Sequence, residues 1–160
     1  MTAVLAVAAV VVVLDQIVKA IVMARLLVGV PVTIIDGLLS FTLVMNPGLA
    51  FGLLGGLPAA WRWLVALLSI AALLILARVA VRVLAEGSRL DTLALGLVFG
   101  GAVGNLIDRA RFVAVGDFVD VYYRNFHWWA FNVADSAITV GVALLAIRLV
   151  GKPSEATSRA

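Results

Sequence analysis

Asp91-Thr-Leu-Ala-Leu-Gly-Leu-Val-Phe-Gly100-Gly-Ala-Val-Gly-Asn-Leu-Ile-Asp-Arg-Ala110 is apolar through its middle and polar only near its ends. A helix needs about 20 such residues to cross a hydrocarbon core of about 30 Å, so the run predicts one membrane span over about 91–110. Gly96, Gly100 and Gly104 recur every four residues, a smooth stripe that lets another helix approach closely, and Asp108 continues it. Gly101, Asn105 and Arg109 form an adjacent stripe at the same interval. The glycines alone argue for packing. The cluster of Asn105, Asp108 and Arg109 at one helix end is more specific, because polar groups at membrane depth must find partners.

The rest of the chain carries the same signature. Of its 160 residues 64% are hydrophobic and 13% charged, with a mean hydropathy of +1.18, well above the apolar share of a soluble domain. A single integral membrane domain over 1–160 is the expectation. Ala3 to Leu14 has the length of a signal-peptide core, but no basic residue precedes it and the apolar pattern resumes after Lys19. One uncleaved span over about 3–25 is therefore expected, with others over about 61–84 and 131–150. Between the first two, Pro31, Gly37, Pro47, Gly55, Gly56 and Pro58 break residues 28–60 into pieces too short to span. Within this extracytoplasmic region Leu39-Ser-Phe-Thr-Leu-Val44 alternates like a short strand, so a small β-like region at the membrane surface is expected. Residues 151–160 read as a short polar tail. The fold class predicted is an all-α membrane protein of four transmembrane helices with a small extracytoplasmic β-like region and loop.

Four spans place both termini on one side. The basic residues divide six against five between the faces (Arg78, Arg82, Arg89, Arg148, Lys152 and Arg159 against Arg25, Arg62, Arg109, Arg111 and Arg124), which decides orientation poorly. A net charge of +3 and a pI near 10 could suggest nucleic acid, yet the twelve Lys and Arg are scattered, so no nucleic-acid partner is expected. Cysteine is absent and His127 is the one histidine, which leaves little material for a metal site, a thiol nucleophile or a Ser-His-Asp triad. No metal and no cofactor are expected.

Charged groups inside a span cost roughly 2.5–3.5 kcal/mol on insertion scales, which makes them functional candidates. Asp15 and Lys19 lie four apart on one helical face, as a structural ion pair or as ligand contacts. Asn132, Asp135, Ser136 and Thr139 share a face at the start of the fourth span, where Asp135 could equally be a helix cap. Connectivity brings the end of the third span and the start of the fourth to one membrane face, so Asp117 and Asp135 could meet there. Two adjacent carboxylates cannot both ionise easily, and one keeps a proton. That suits peptide hydrolysis by an activated water. The same acids could instead relay protons in a transporter.

These residues resemble the bacterial lipoprotein signal peptidases, or signal peptidase II. The matches are Gly101-Ala-Val-Gly-Asn-Leu-Ile-Asp-Arg109, Val115-Gly-Asp-Phe118 and Phe131-Asn-Val-Ala-Asp-Ser-Ala137, with Leu14-Asp-Gln-Ile-Val-Lys19 and Asn46-Pro-Gly-Leu-Ala-Phe51 before them. The resemblance implies that Asp117 and Asp135 are a catalytic dyad. It also implies that Asp15, Lys19, Asn46, Gly101, Asn105, Arg109, Asn132 and Ala134 support the site or contact substrate. Asp120 becomes non-catalytic, and Asp108 structural, tied to its basic neighbours. The implied substrate is a prolipoprotein whose cysteine carries diacylglycerol, cleaved N-terminal to that cysteine. The implied setting is the bacterial inner membrane, with cytoplasmic termini, the active site near the outer face, membrane lipid as a partner and a monomeric enzyme.

Two positions depart from the family pattern: Leu49 stands where a small residue is usual, and Val115-Gly116 where β-branched residues are common. Leu49 bears on the shape of the loop, not on the chemistry. Presenilin-like proteases are disfavoured because Ala114-Val-Gly-Asp117 lacks the first glycine of their motif and the spans are too few. A small transporter would use one central membrane acid, whereas these acids gather at one face. A purely structural subunit would leave the polar motifs unexplained.

Overall fold

A computed structural model describes residues 1–48, 53–56, 58–85 and 88–150. Leu49, Glu86, Gly87 and the polar tail 151–160 lie outside the described residues. Four long helices form over the apolar stretches: α1 (Thr2–Arg25), α2 (Arg62–Ala85), α3 (Arg89–Phe112) and α4 (Val133–Val150). One turn of 3-10 helix, Ala59–Trp61, leads into α2. Among the described residues α1 and α3 are long and apolar enough to cross a membrane.

The helix α3 packs on α1, α2 and α4, and its glycines explain how. A Cβ on Gly96 would stand 2.5 Å from Cβ of Val7, and one on Gly100 2.6 Å from Cβ of Val11, so this stripe is where α1 lies. The adjacent stripe faces α4, where a Cβ on Gly101 would collide with the carbonyl oxygen of Ala134. The start of α3 is capped by Ser88, whose hydroxyl accepts from the Asp91 amide while the Asp91 carboxylate accepts from the Ser88 amide. Asp91 also receives Arg148 Nε at 3.3 Å, which joins the first turn of α3 to the last turn of its antiparallel neighbour α4.

The sheet is larger than the short strand read from the sequence, so the molecule is mostly helical rather than all-α. Strands β1 (Val32–Ile35), β2 (Leu39–Asn46), β3 (Val115–Tyr123) and β4 (Phe126–His127) lie in that order, each antiparallel to the next. The long strand β3 lies between α3 and α4, where the sequence predicted no strand. Its burial on both faces hides the alternation that marks a half-exposed strand. Val22 of α1, Leu43 of β2 and Phe118 of β3 form a buried apolar cluster, with Phe41 set edge-on to Phe118. This cluster seats the sheet on the end of α1 and fixes the height of Asp117.

Candidate active site

The start of α4 organises the site. Asn132 accepts from the Asp135 amide at 2.9 Å through Oδ1, and Asp135 Oδ2 accepts from the Asn132 amide at 3.2 Å. This reciprocal pair is a capping box. Asn132 is thus the N-cap of α4 and Asp135 its partner in the first turn, a capping role the sequence allowed for Asp135, which still has its other oxygen directed elsewhere. That oxygen, Oδ1, accepts from Asn105 Nδ2 at 2.7 Å. Asn132 Nδ2 donates across to Asp117 Oδ1 at 2.7 Å and to Asn105 Oδ1 at 3.1 Å. One asparagine side chain and its backbone therefore bridge both aspartates.

Asp117 lies on β3 opposite Val44 and receives a second amide hydrogen bond, from Asn46 Nδ2 at 3.0 Å. Its carboxylate has amide donors and no ion pair among the described residues. Burial pushes the Asp117 carboxyl up to about 7, and the neighbouring Asp135 charge acts in the same direction. The hydrogen bonds from Asn46 and Asn132 and the Lys19 charge pull it down without cancelling the rise.

Beneath the two amides lies a buried ionic cluster. Lys19 Nζ reaches Asp15 at 2.9 Å, Asp108 at 2.8 Å and Asn105 Oδ1 at 3.0 Å, which uses all three of its donors. The three charged groups are at most 2% exposed. Burial of two carboxylates with one ammonium is costly unless the remaining lone pairs are satisfied. They are satisfied: Asp15 Oδ1 accepts from the Ala134 amide at 3.0 Å, and Asp108 accepts from Gln16 at 3.0 Å and from the Gly116 amide at 3.2 Å. The Ala134 amide belongs to the first turn of α4, where N–H groups lack helical partners and a negative charge is favoured. The expected i,i+4 pair of Asp15 and Lys19 forms. Asp108, expected to pair with its basic neighbours in sequence, pairs instead with Lys19 from α1. Gln16 was not singled out by sequence reasoning, although its place between Asp15 and Lys19 could have flagged it.

Arg109 serves a different wall of the site. Its Nη2 donates to the Gly48 carbonyl at 2.8 Å, and the Gly48 amide donates to Asn46 Oδ1 at 2.9 Å. The guanidinium thus holds the turn that presents Asn46 to Asp117. A cavity of about 230 Å³ opens here, bounded by Val44, Asn46, Pro47, Asp117, Trp129 and Ala130 among others. Gly101 and Ala134 contribute no donor side chain; each is a close contact between α3 and α4. Gly116 lets β3 lie against Met23, whose methyl would stand 2.5 Å from a Cβ there. Asp120 lies apart from this assembly, held by Ser40 at 3.1 Å and His127 at 3.0 Å.

A family model described as signal peptidase (SPase) II matches residues 7–151. The lipoprotein signal peptidase of Geobacter sulfurreducens is 45% identical over 138 residues, covering 86% of this chain and 85% of that protein. The lipoprotein signal peptidase of Polynucleobacter necessarius is 39% identical over 141 residues, 88% of this chain and 85% of that protein. Two solved structures of bacterial membrane enzymes are similar at 28% identity. One has a TM-score of 0.77 and covers 97% of this chain and 94% of that chain, and the other has a TM-score of 0.75 with 95% of each covered.

Proposed function

The chain belongs to the signal peptidase II family of aspartic peptidases, and from that premise we propose that Asp117 and Asp135 are the catalytic pair that cleaves lipid-modified prolipoproteins. The observation that carries this reading is the bridge through Asn132, whose side-chain amide donates to the Asp117 carboxylate and whose backbone amide donates to the Asp135 carboxylate, with Asp117 lining an open cavity. The ionised carboxylate takes a proton from a water molecule as its oxygen attacks the scissile carbonyl carbon. The protonated carboxyl hydrogen-bonds the carbonyl oxygen and then supplies the proton that leaves with the amine. The proton belongs to the pair and not to either residue alone. Asn46, Asn105 and Asn132 orient the two acids, while Asp15, Lys19, Gly101, Arg109 and Ala134 hold the elements that carry them.

The protein is a membrane enzyme for the removal of signal peptides from lipoproteins. In the fuller reading all four helices cross the bacterial inner membrane, both termini are cytoplasmic, and the site lies near the outer face. Acyl chains of the substrate's diacylglyceryl group then enter from lipid between helices, and water reaches the pair from the sheet side. Cleavage falls N-terminal to the lipidated cysteine, and one copy of the chain suffices. Amide donors on both carboxylates favour this reading over a transporter, because they fix the acids in place where a proton relay needs them to change partners.

The test is a cleavage assay of the reconstituted protein on two forms of one precursor, with and without the diacylglyceryl group, scored by product mass. Release of the signal peptide from the lipidated form alone is the expected result. Equal cleavage of both forms would remove the lipid from the specificity, and cleavage of neither would sink the peptidase assignment for this chain.

A further inference from the structure

Arg62 opens α2 between Trp61 and Trp63, whose rings stack with centroids 6.3 Å apart and which are 54% and 53% exposed. Paired indoles at the end of an apolar helix belong at headgroup depth, where one side of the ring is wet and the other apolar. Against them lies a cavity of about 260 Å³, with Arg62 and Arg109 on its polar side and Trp63, Val65, Ala66 and Val113 on its apolar side. The Nε atoms of these two arginines are the buried side-chain nitrogen or oxygen atoms left without a hydrogen-bond partner among the described residues. A buried donor without an acceptor is unfavourable, more so on a cation, so each Nε calls for an acceptor that the described residues do not supply.

The charges around the two differ. Arg109 faces the carboxylates of Asp108, Asp117 and Asp135 and donates to the Asn105 and Gly48 carbonyls. Arg62 makes no ion pair or side-chain hydrogen bond with a described residue. We propose that this cavity binds the phosphate of an anionic membrane phospholipid, gripped by Arg62, with Arg109 forming the far wall. A planar guanidinium matches phosphate through paired hydrogen bonds. The volume lies just under the roughly 300 Å³ of the smaller ligand pockets, which suits a headgroup fragment and not a whole lipid. The acyl chains then run down the apolar side past Val65 and Ala66. The substrate's own diacylglyceryl group carries neutral ester oxygens, which would leave the Arg62 charge uncompensated.

This site touches the candidate active site through one chain of contacts. Arg109 holds the Gly48 carbonyl, Gly48 holds Asn46, and Asn46 donates to Asp117. A phosphate that engages Arg109 Nε steadies that chain, so an anionic lipid acts on the same turn that presents Asn46. The proposal rests on the reading of α2 as a membrane helix.

The experiment is native mass spectrometry of the full-length protein in detergent, titrated with phosphatidylglycerol or with phosphatidylcholine of the same acyl chains. The wild type is expected to retain phosphatidylglycerol about tenfold more tightly, as one charge-assisted contact implies. Arg62→Gln should abolish that preference, Arg62→Lys should keep part of it, and Arg25→Gln, at an exposed cation on α1, should keep all of it. Thermal melting without lipid separates lost binding from lost folding. Equal retention of the two lipids by the wild type would overturn the proposal, as would an unchanged preference in Arg62→Gln. Displacement of phosphatidylglycerol by equimolar inorganic phosphate would assign the site to free phosphate and overturn the lipid. Retention is read without substrate, so its failure leaves the peptidase reading intact, and an inactive peptidase leaves the lipid result intact.

Discussion

Asp117 and Asp120 stand three residues apart on β3, both buried and both hydrogen-bonded, yet their surroundings differ in kind. Asp117 is held by the amides of Asn46 and Asn132 with Asp135 nearby. Asp120 pairs across the sheet with Ser40 and is enclosed by the hydroxyls of Ser40 and Thr42 and by His127 Nδ1, which lies 3.0 Å from each carboxylate oxygen. Burial does not separate the two residues. Partner chemistry does: amides and a second carboxylate leave Asp117 free to exchange a proton, whereas Asp120 fastens β2, β3 and β4 together.

The largest effect expected from this contrast is loss of cleavage in Asp117→Asn or Asp135→Asn. Replacing a positioned acid or base removes about 10²–10⁴-fold, and the upper end applies where both protons of the reaction pass through the pair. Asparagine preserves the shape of each carboxyl, and at 135 its oxygen can still accept from the Asn132 amide. Membrane insertion should therefore survive, with at most about 1–2 kcal/mol of stability lost where the new NH2 group meets an amide donor, while turnover on lipidated precursor disappears. Cleavage by Asp135→Asn at a wild-type rate would erase the distinction between the two ends of β3.

The buried ionic cluster tests whether the Asp117 end depends on what lies beneath it. Lys19→Met leaves Asp15 and Asp108 buried without a cation, and breaking such a cluster costs about 3–5 kcal/mol. The expected readout is a large drop in unfolding temperature in detergent, together with lost cleavage because Asn105 loses the partner that orients it. His127→Ala, at the Asp120 end, removes a half-exposed partner and should cost far less. Equal losses from the two substitutions would mean that the sheet and the helix bundle stand or fall as one unit.

A change of pH addresses the Asp117 end alone. Its carboxyl is raised to about 7 from an ordinary value near 3.9, so the folded state favours the protonated acid. The stability this group contributes is present below about pH 4 and is lost as pH rises toward 7, because the unfolded chain has already released the proton. Activity follows the pair: above about 7 both carboxylates ionise, and kcat/KM should fall about tenfold per pH unit. Asn46→Leu removes a donor that favours the ionised form and should move this limb to higher pH. A limb that stays in place in Asn46→Leu would detach it from Asp117.

The sequence carried the helices through long apolar runs, and it carried two of the three neighbours of α3 through the stripe of Gly96, Gly100 and Gly104 and the adjacent one that begins at Gly101, which face α1 and α4. Family motifs pointed to Asp117, Asp135 and the asparagines that bridge them. What stayed hidden depends on partners far apart in the chain. Asp108 lies 89 positions from Lys19, and nothing local distinguishes that pairing from one with Arg109 or Arg111. The strand β3 was missed for a related reason: buried on both faces, it shows neither the alternation of a half-exposed strand nor the length of a span. Arg62 looked like a flanking charge until the cavity beside it was visible.

The smallest effect expected is that of Asp120→Asn. The amide oxygen still accepts from Ser40 and Thr42, the other oxygen, which faced His127, becomes an NH2 group, and the loss should be about 1–2 kcal/mol of stability. A shift of register between Phe41 and Val44 separates the pairing of Ser40 with Asp120 from those of Val44 with Asp117 and Asn46 with Val115, and the cluster of Leu43, Phe118 and Val22 holds that far end independently. Cleavage should therefore remain within a few-fold of wild type, measured on the same lipidated precursor, even as thermal unfolding shifts downward. A loss approaching that of Asp117→Asn would mean that β3 transmits strain along its length, and that the strand, more than the partner chemistry at either end, sets the active geometry.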